Sequence, residues 1–423
     1  MRTRVIQLWT QNQAKAWIFA DQGLVSGINF SIGILLARFL GIETFGLFSL
    51  AWMVLFFASS IQQAFLTAPL FALTPKQEHP SQWISKLYFI QLLFSVLSFF
   101  VVIAIVETTL YFNPEWQFDG ISSILGGLVA VYLFNDFSRR VLFTTHQPKK
   151  VFFIDVVGYA LQPLLIIGLF ISDALNLQTA LAAILGAQTL SLAYIIIRIR
   201  PVLDFSNLVP TLLQVWKYSR FLLATALLQW SSANYIILFA ASILGPKAIG
   251  AIKVAQNLMG VLNVLFQAME NIVPVRSAEA FHKGGISALG DYMQKTTVQF
   301  LAPVALVLLL VGIFHQQIMT AIYGDEYLQY SFVLLAFCGI YVLVFLGTLL
   351  RFIIRTLEYN LIIFWSYVLT TTFSLIAGKV LATDYGLTGV LMGIAGTQII
   401  SFISFITFLK IKVKWNFRLF TLS

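Results

Sequence analysis

The chain has little charge. Asp, Glu, Lys and Arg make up 10% of its 423 residues, where a soluble domain carries about 25%. Hydrophobic residues are 59%, and mean hydropathy is +0.88. A single water-soluble core cannot hide that much apolar surface, so the chain uses lipid as its solvent. Cysteine is nearly absent. Cys338, in the run FVLLAFCGIYVLVF, stands alone, which excludes an intramolecular disulfide and fits a small buried hydrophobe. The four histidines, His79, His146, His282 and His315, are scattered at segment ends, and no Cys/His cluster has metal-ligand spacing. No metal or catalytic site is expected. The absence of a Gly-rich phosphate loop argues against direct use of ATP. The longest outer loop, ETTLYFNPEWQFDG, is too short for the paired carboxylates of a membrane glycosyltransferase or polymerase, so the chain does not read as an enzyme. The opening MRTRVIQLWTQNQAKAWIF lacks a short apolar run ending in a small-residue cleavage site, and no cleaved signal peptide is expected.

What the chain does have is long apolar runs. About 20 apolar residues cross a bilayer as a helix. Twelve segments qualify: 17–40, 45–70, 84–107, 119–141, 151–172, 177–198, 218–241, 247–274, 296–318, 329–350, 360–381 and 386–409. The expected class is an all-α integral membrane protein of twelve transmembrane helices. Charge tests the count. With the N-terminus in the cytoplasm and alternate loops turned inward, all of the 26 basic residues except Arg38, Lys247, Lys253 and Lys379 fall inside. This includes Arg2, Arg4 and Lys15 near the start and Lys414 and Arg418 near the end. The outer loops carry Glu43, Glu107, Glu115, Asp119, Asp173, Asp325, Glu326 and Asp384. One helix more or fewer would scramble this segregation. Both termini are therefore expected in the cytoplasm, and the pI near 9.5 is a product of topology. No basic stripe with interleaved aromatics suggests nucleic acid as a partner.

The chain also repeats a phrase. ARFLGIETFG begins at Ala37 and ASILGPKAIG at Ala241, 204 positions later (241 − 37). Both fit A-x-x-L-G-x-x-x-x-G. The same offset pairs Ala51 with Ala255, Gln63 with Gln267 and Ala64 with Ala268. This reads as two six-helix halves, residues 1–199 and 213–423, joined by a cytoplasmic linker, 200–212. Six is even, so both halves run through the membrane in the same direction, as in parallel-repeat transporters.

The stretch LLARFLGIETFGLFSLAW resembles the opening of Wzx-type polysaccharide flippases, which share a superfamily with multidrug and toxin extrusion (MATE) exporters and lipid II flippases. The resemblance implies two six-helix lobes in a V-shaped bundle. It also implies alternating access that carries a lipid-linked, polyprenyl-diphosphate-type oligosaccharide from the inner to the outer leaflet of the cytoplasmic membrane, for surface polysaccharide export. Partners would be that glycan, the bilayer and polysaccharide assembly proteins. Lipid II flippases carry arginines earlier in the first helix. Ser26 and Ile32 stand at the matching positions here, which counts against lipid II as cargo. A MATE-like, ion-coupled exporter of small cations has the same fold and remains the alternative.

The eighth segment is the most informative. Lys253, Gln256, Asn257, Gly260, Asn263, Gln267, Glu270, Asn271 and Pro274 fall on one helical face, opposite Ile252, Val254, Leu258, Val261, Leu262, Leu265 and Met269. A full-length polar face in a membrane helix either lines a water-filled path or packs on other polar helices. The first segment has a narrower stripe, Gln22, Ser26, Asn29 and Gly33, and the second adds Ser59, Gln63 and Thr67. Asp21, off that stripe, reads either as a carrier of a coupling proton or Na+ or as an interfacial acid bonded to a neighbouring helix. Asp136, in NDFSRR, reads either as an ion-coupling or gating group or as an acid neutralised by Arg139 and Arg140 at i+3 and i+4. Arg38 falls roughly opposite the polar stripe near the outer end, a position suited to snorkelling. No cofactor is expected beyond a coupling ion. Asp155 and Glu270 also lie toward inner helix ends, and the deepest outward charge is Lys253. This tilts the reading toward an anionic or sugar-rich cargo.

Overall fold

The computed structural model describes residues 2–112 and 120–413, with side chains from residue 16 onward. Arg2, Arg4, Lys15, Glu115, Asp119, Lys414 and Arg418, used in the charge argument above, lie outside the described side chains. The described residues form helices and no strands. In lipid, helices satisfy every backbone group within one segment.

Among the described residues, nine helices are long and apolar enough to cross a membrane: α1 (Ala16–Lys76), α2 (Pro80–Phe112), α3 (Ile121–Thr144), α4 (Pro148–Ile171), α5 (Leu177–Ile199), α6 (Leu208–Leu244), α7 (Pro246–Ile313), α8 (Asp325–Thr356) and α9 (Asn360–Val413). The chain is a multi-pass membrane protein. The sequence leads one to expect twelve spans, and the difference lies in three glycine joints. At 61 residues α1 would stretch about 90 Å if straight, against a hydrocarbon core of about 30 Å. It breaks at Gly41 (φ 76°, ψ 168°). Likewise α7 breaks at Gly284 and Gly285, and α9 at Gly386. These breaks fall between expected segments 1 and 2 and between 8 and 9, and at the first residue of segment 12. Each break separates two helical segments, so α1, α7 and α9 each hold two of the expected spans.

Helix starts follow local chemistry. Proline opens α2, α4 and α7, where a missing N–H costs nothing. Asn176 caps α5 in a reciprocal box with Thr179, both hydrogen bonds at 2.9 Å.

The chain divides into two compact units. Unit 1 is residues 1–40 and 47–227, and unit 2 is residues 41–46 and 228–423. The division falls at Leu227/Leu228, inside α6, because the start of α6 is anchored in unit 1. Val215 is fully buried in a core cluster with Leu66, Leu70, Leu87, Phe137 and Ile195. Gly41–Gly46, from the first repeat phrase, belongs with unit 2.

Within unit 1, α3 is central and packs against both α2 and α5. Within unit 2, α8 is central, between α7 and α9. Two of the three repeat-related pairs share environments, while Ala64 is buried and Ala268 half-buried. Ala51 and Ala255 are buried, and Gln63 and Gln267 are exposed.

Candidate functional site

Unit 1 holds a charged cluster at the basic end of its helices. Arg139 is its centre. Its Nη2 lies 2.7 Å from Asp155 Oδ2 and 3.5 Å from Asp21 Oδ2, and its Nη1 lies 3.4 Å from Asp136 Oδ1. Arg140 Nη2 approaches Asp136 Oδ1 at 3.4 Å. The i+3 and i+4 spacing on α3 accounts for the Asp136 contacts. Asp21 comes from α1 and Asp155 from α4, so three helices meet at one guanidinium.

The carboxylates are almost fully enclosed, with side-chain exposures of 4% for Asp21 and Asp136 and 1% for Asp155. Burying charges is tolerated only when they are paired. Here three carboxylates face two guanidiniums, which leaves one carboxylate in excess. Asp21 Oδ1 is buried without a hydrogen-bond partner. Two acids converging on a single nitrogen with a spare oxygen can hold one proton or one small cation. The α-helical register loosens here. A π-turn over Val156–Ala160 follows Asp155 directly, and such turns recur at functional positions.

Toward the middle of unit 1 the cluster gives way to neutral polar pairs. Asn135 Nδ2 donates to Gln188 Oε1 at 2.9 Å and to the Gln188 carbonyl at 2.8 Å. Gln62 Nε2 donates to Gln91 Oε1 at 2.9 Å, and Gln91 Nε2 donates to Ser95 Oγ at 2.9 Å. Satisfied pairs of this kind hold α1, α2, α3 and α5 in register.

The stripe on the first segment of α1 faces away from this core: Gln22, Ser26 and Asn29 are exposed, and Gln22 Nε2 donates to Ser26 Oγ at 3.1 Å. Gly23 and Gly27, on the same side, have open space around them. On the second segment Gln63 is exposed, but Ser59 and Thr67 are buried.

In unit 2 the two faces of the first half of α7 separate sharply. Ile252, Val254, Leu258, Leu262 and Met269 are buried in the unit. Asn263, Gln267, Glu270 and Asn271 are exposed, and Lys253, Gln256 and Asn257 are half-buried. Two residues of the apolar face depart from this: Val261 is 51% exposed, and Leu265 is half-buried. Gln256 and Asn263 line a cavity of about 200 Å3 with Ser232, Tyr341, Thr397 and Gln398. Asn257 Nδ2 donates to Tyr323 Oη at 3.2 Å. Glu270 Oε2 pairs with Arg355 Nη1 at 3.2 Å, with both side chains more than 40% exposed. Lys253 has no acidic partner among the described residues.

The sequence-derived candidates therefore form three separate groups. Asp21 and Asp136 join one buried cluster. Gln22, Ser26 and Asn29 form an open stripe on unit 1, and Gln63, past the Gly41 break, is exposed separately. Lys253, Gln256, Asn257, Asn263, Gln267, Glu270 and Asn271 form the outward face of α7 in unit 2. Sequence reasoning passed over Asp155 as a member of the site. The available signal was an ionisable residue inside an apolar segment, which by default marks function. Nothing in the sequence pairs Gln62 with Gln91 or Asn135 with Gln188.

Comparison with known proteins gives the family. A family described as polysaccharide biosynthesis protein matches residues 35–332, more than half of the chain, and the chain belongs to it. No curated protein matches in sequence. Several solved structures share the fold. An inward-facing multidrug resistance MATE family transporter of the MOP superfamily is 14% identical, covering 93% of this chain and 97% of its own, with a TM-score of 0.69. A point mutant of the Vibrio cholerae MATE transporter VcmN is 16% identical, covering 97% and 99%, at 0.63. A MOP superfamily transporter from Pyrococcus furiosus, whose binding pocket is described as having reversed polarity suggesting a different function, is 13% identical, covering 94% of each chain, at 0.62. At these identities the likeness concerns the fold.

Proposed function

From membership in the polysaccharide biosynthesis family and the transporter fold, we propose that the chain flips a lipid-linked oligosaccharide, of the polyprenyl-diphosphate type, from the inner to the outer leaflet of the cytoplasmic membrane. Both termini lie in the cytoplasm on this reading, and polysaccharide assembly proteins are its neighbours. The observation that carries it is the polarity of α7. One face is committed to the core of unit 2, while the other presents amides and an acid-free lysine outward. Amides suit sugar hydroxyls, and Lys253 suits a phosphate or an acidic sugar. An exporter of cations needs free acids on its path. In unit 1, Asp21, Asp136 and Asp155 all face arginines instead.

The excess carboxylate of that cluster supplies a coupling site. A proton or Na+ held between Asp21 and Asp155 balances the charge, and its release changes the pull on Arg139. Asp136, shared with Arg140, stays neutralised in both states.

Deletion of the gene tests the reading. Lipid-linked oligosaccharide should accumulate on the cytoplasmic leaflet, and the surface polymer should disappear. A deletion strain with its full surface glycan but new sensitivity to cationic drugs shows the exporter alternative to be right instead.

A further inference from the structure

A concave surface on unit 1 lies apart from the charged cluster and from the polar faces of α1 and α7, and shares only Ser95 with the polar pairs described above. It runs between α2, α3 and α5 and encloses about 700 Å3, within the range of about 300–1,000 Å3 typical of small-molecule sites. Its walls are apolar. Val96 and Phe100 from α2 and Ile196 from α5 are 48%, 61% and 55% exposed, so the groove is open along its length. Val131 from α3 forms part of the floor. From Leu92 to Phe100 the lining of α2 rises about 12 Å, close to the depth of one leaflet, half of a core of about 30 Å.

One end of the groove is not apolar. Arg200 and Pro201 close it. Arg200 sits just past the end of α5 in a left-handed conformation, φ 55° and ψ 62°. Non-glycine residues adopt this at a cost of about 1–2 kcal/mol, so the chain bends sharply there. The bend holds through the Arg200 N–H to the Ile195 carbonyl at 3.0 Å. Arg200 Nε donates to the Ile197 carbonyl at 3.2 Å. No acid pairs with its guanidinium among the described residues, and the side chain is exposed. The groove therefore offers a tail-length apolar channel with a cation fixed at the end where Arg198 and Lys86 also lie.

We propose that this groove is a binding site for an anionic glycerophospholipid of the surrounding bilayer, one tail lying along Val96, Phe100 and Ile196 and the phosphate on Arg200. Apolar exposure alone would make it ordinary lipid-facing surface. The concavity gives a tail more contact than a flat helix face does. The bent, acid-free Arg200 supplies charge complementarity at the depth where a phosphate sits. The site is independent of the cargo path on α7 and stands or falls without the flippase reading.

The test uses the full chain in nanodiscs of phosphatidylcholine with a trace of phosphatidylglycerol bearing a tail diazirine. After irradiation, adducts are expected on the peptides carrying Val96 to Phe100 and Ile196. Arg200→Asn removes the charge but suits the left-handed backbone, so folding is kept. It should cut labelling at least fivefold, and Arg200→Lys should restore most of it. Ala130→Phe, which fills the floor, should also abolish it, while Arg198→Asn should leave it unchanged. Three outcomes overturn the proposal. One is equal labelling by tail-diazirine phosphatidylcholine, which means an unselective lipid face. Another is an equal loss in Arg198→Asn, which means diffuse surface charge. The last is displacement by trace polyprenyl monophosphate that excess phosphatidylglycerol does not match, which makes the groove a holder of the cargo's tail.

Discussion

Gly46 lies so close to the carbonyl oxygen of Pro246 that a Cβ on it would overlap that atom, and Gly250 stands in the same relation to the carbonyl oxygen of Ile42. Residues 42 and 246, like 46 and 250, are 204 apart, the offset of the repeated phrase. The contact is thus reciprocal: each second glycine of the phrase receives the residue after the first glycine of the other copy. Those first glycines also match. Gly41 has φ 76° and ψ 168°, and Gly245 has φ 80° and ψ −179°. The phrase is written twice because one backbone clasp needs it from both sides.

Alanine at either second glycine should therefore be costly. Overpacking of a tight contact costs about 1–3 kcal/mol, and here the obstacle is backbone. Gly46→Ala and Gly250→Ala should each lower the melting temperature in detergent and reduce complementation of a deletion strain. Gly186→Ala, with open space around it, should do neither. Equal behaviour of all three would remove the clasp from the account.

The clasp carries its own ion pair. Lys247 Nζ lies 3.2 Å from Glu43 Oε2, again at matching repeat positions. This also explains Lys247, one of the few basic residues on the side expected to be outer. Both side chains are more than half exposed, so the pair is worth at most about 1 kcal/mol. Glu43→Lys or Lys247→Glu alone should perturb stability slightly, and the double exchange should restore it. A double-mutant cycle with coupling that fades in high salt is the expected result.

The cluster at Arg139 should be far more sensitive. Removing one partner of a buried pair costs about 3–5 kcal/mol because the remaining charge is stranded. Arg139→Gln leaves three buried carboxylates with only Arg140 nearby, and should abolish accumulation of folded protein. Adding Asp155→Asn and Asp21→Asn should partly rescue it. Asp21→Asn alone removes the excess charge and should leave the fold intact while stopping ion-coupled transport. Fluorescence-detected size exclusion separates the two effects.

Much of this was legible in the chain, in proportion to how local each relation is. Asp136 with Arg139 and Arg140 is a matter of helical spacing. The polar face of α7 is a matter of period, and the buried residues Leu258, Leu262 and Met269 fall where that period puts them. The repeat marked Gly41 and Gly245, where a tight turn between helices calls for glycine, but not the close backbone approach that requires glycine at Gly46 and Gly250. Asp21 and Asp155 could not be joined to Arg139 by any local rule, since Asp21 lies 118 residues away along the chain. Span counting by hydropathy parted the segments where the backbone leaves the helical region, at Gly41, at Gly284 and Gly285, and at Gly386, because each joint is short and polar.

The two faces of α7 can be read chemically. Cysteines at Gln256, Asn263 and Gln267, in a Cys338→Ser background, should react with small aqueous thiol reagents in membranes. Cysteines at Leu258, Leu262 and Met269 should stay unreactive, since those positions are buried in unit 2. Reactivity should fall when lipid-linked oligosaccharide is present. Equal labelling of both faces would mean that α7 is lipid-exposed or loosely packed, and the path would have to be sought elsewhere.

Lys253 gives the sharpest test of cargo. A lysine within a membrane helix is costly to keep charged, and no acid among the described residues offsets that cost. On the proposed reading, that charge serves the cargo. If what it meets there is a diphosphate or an acidic sugar, the contact contributes about 1.5–3 kcal/mol as a charged hydrogen bond. Lys253→Gln should then weaken apparent affinity for cargo roughly ten- to a hundredfold, while raising the stability of the empty protein, because a half-buried, unpaired charge has been removed. Lys253→Arg should keep much of the transport. Arg38→Gln should have a smaller effect, because Arg38 lies away from the polar stripe of α1. Flux of a fluorescent lipid-linked oligosaccharide in proteoliposomes, measured with thermal stability on the same samples, checks both halves. Lower stability in Lys253→Gln would mean that the lysine is structural, and unchanged flux would mean that the cargo's charge is read elsewhere.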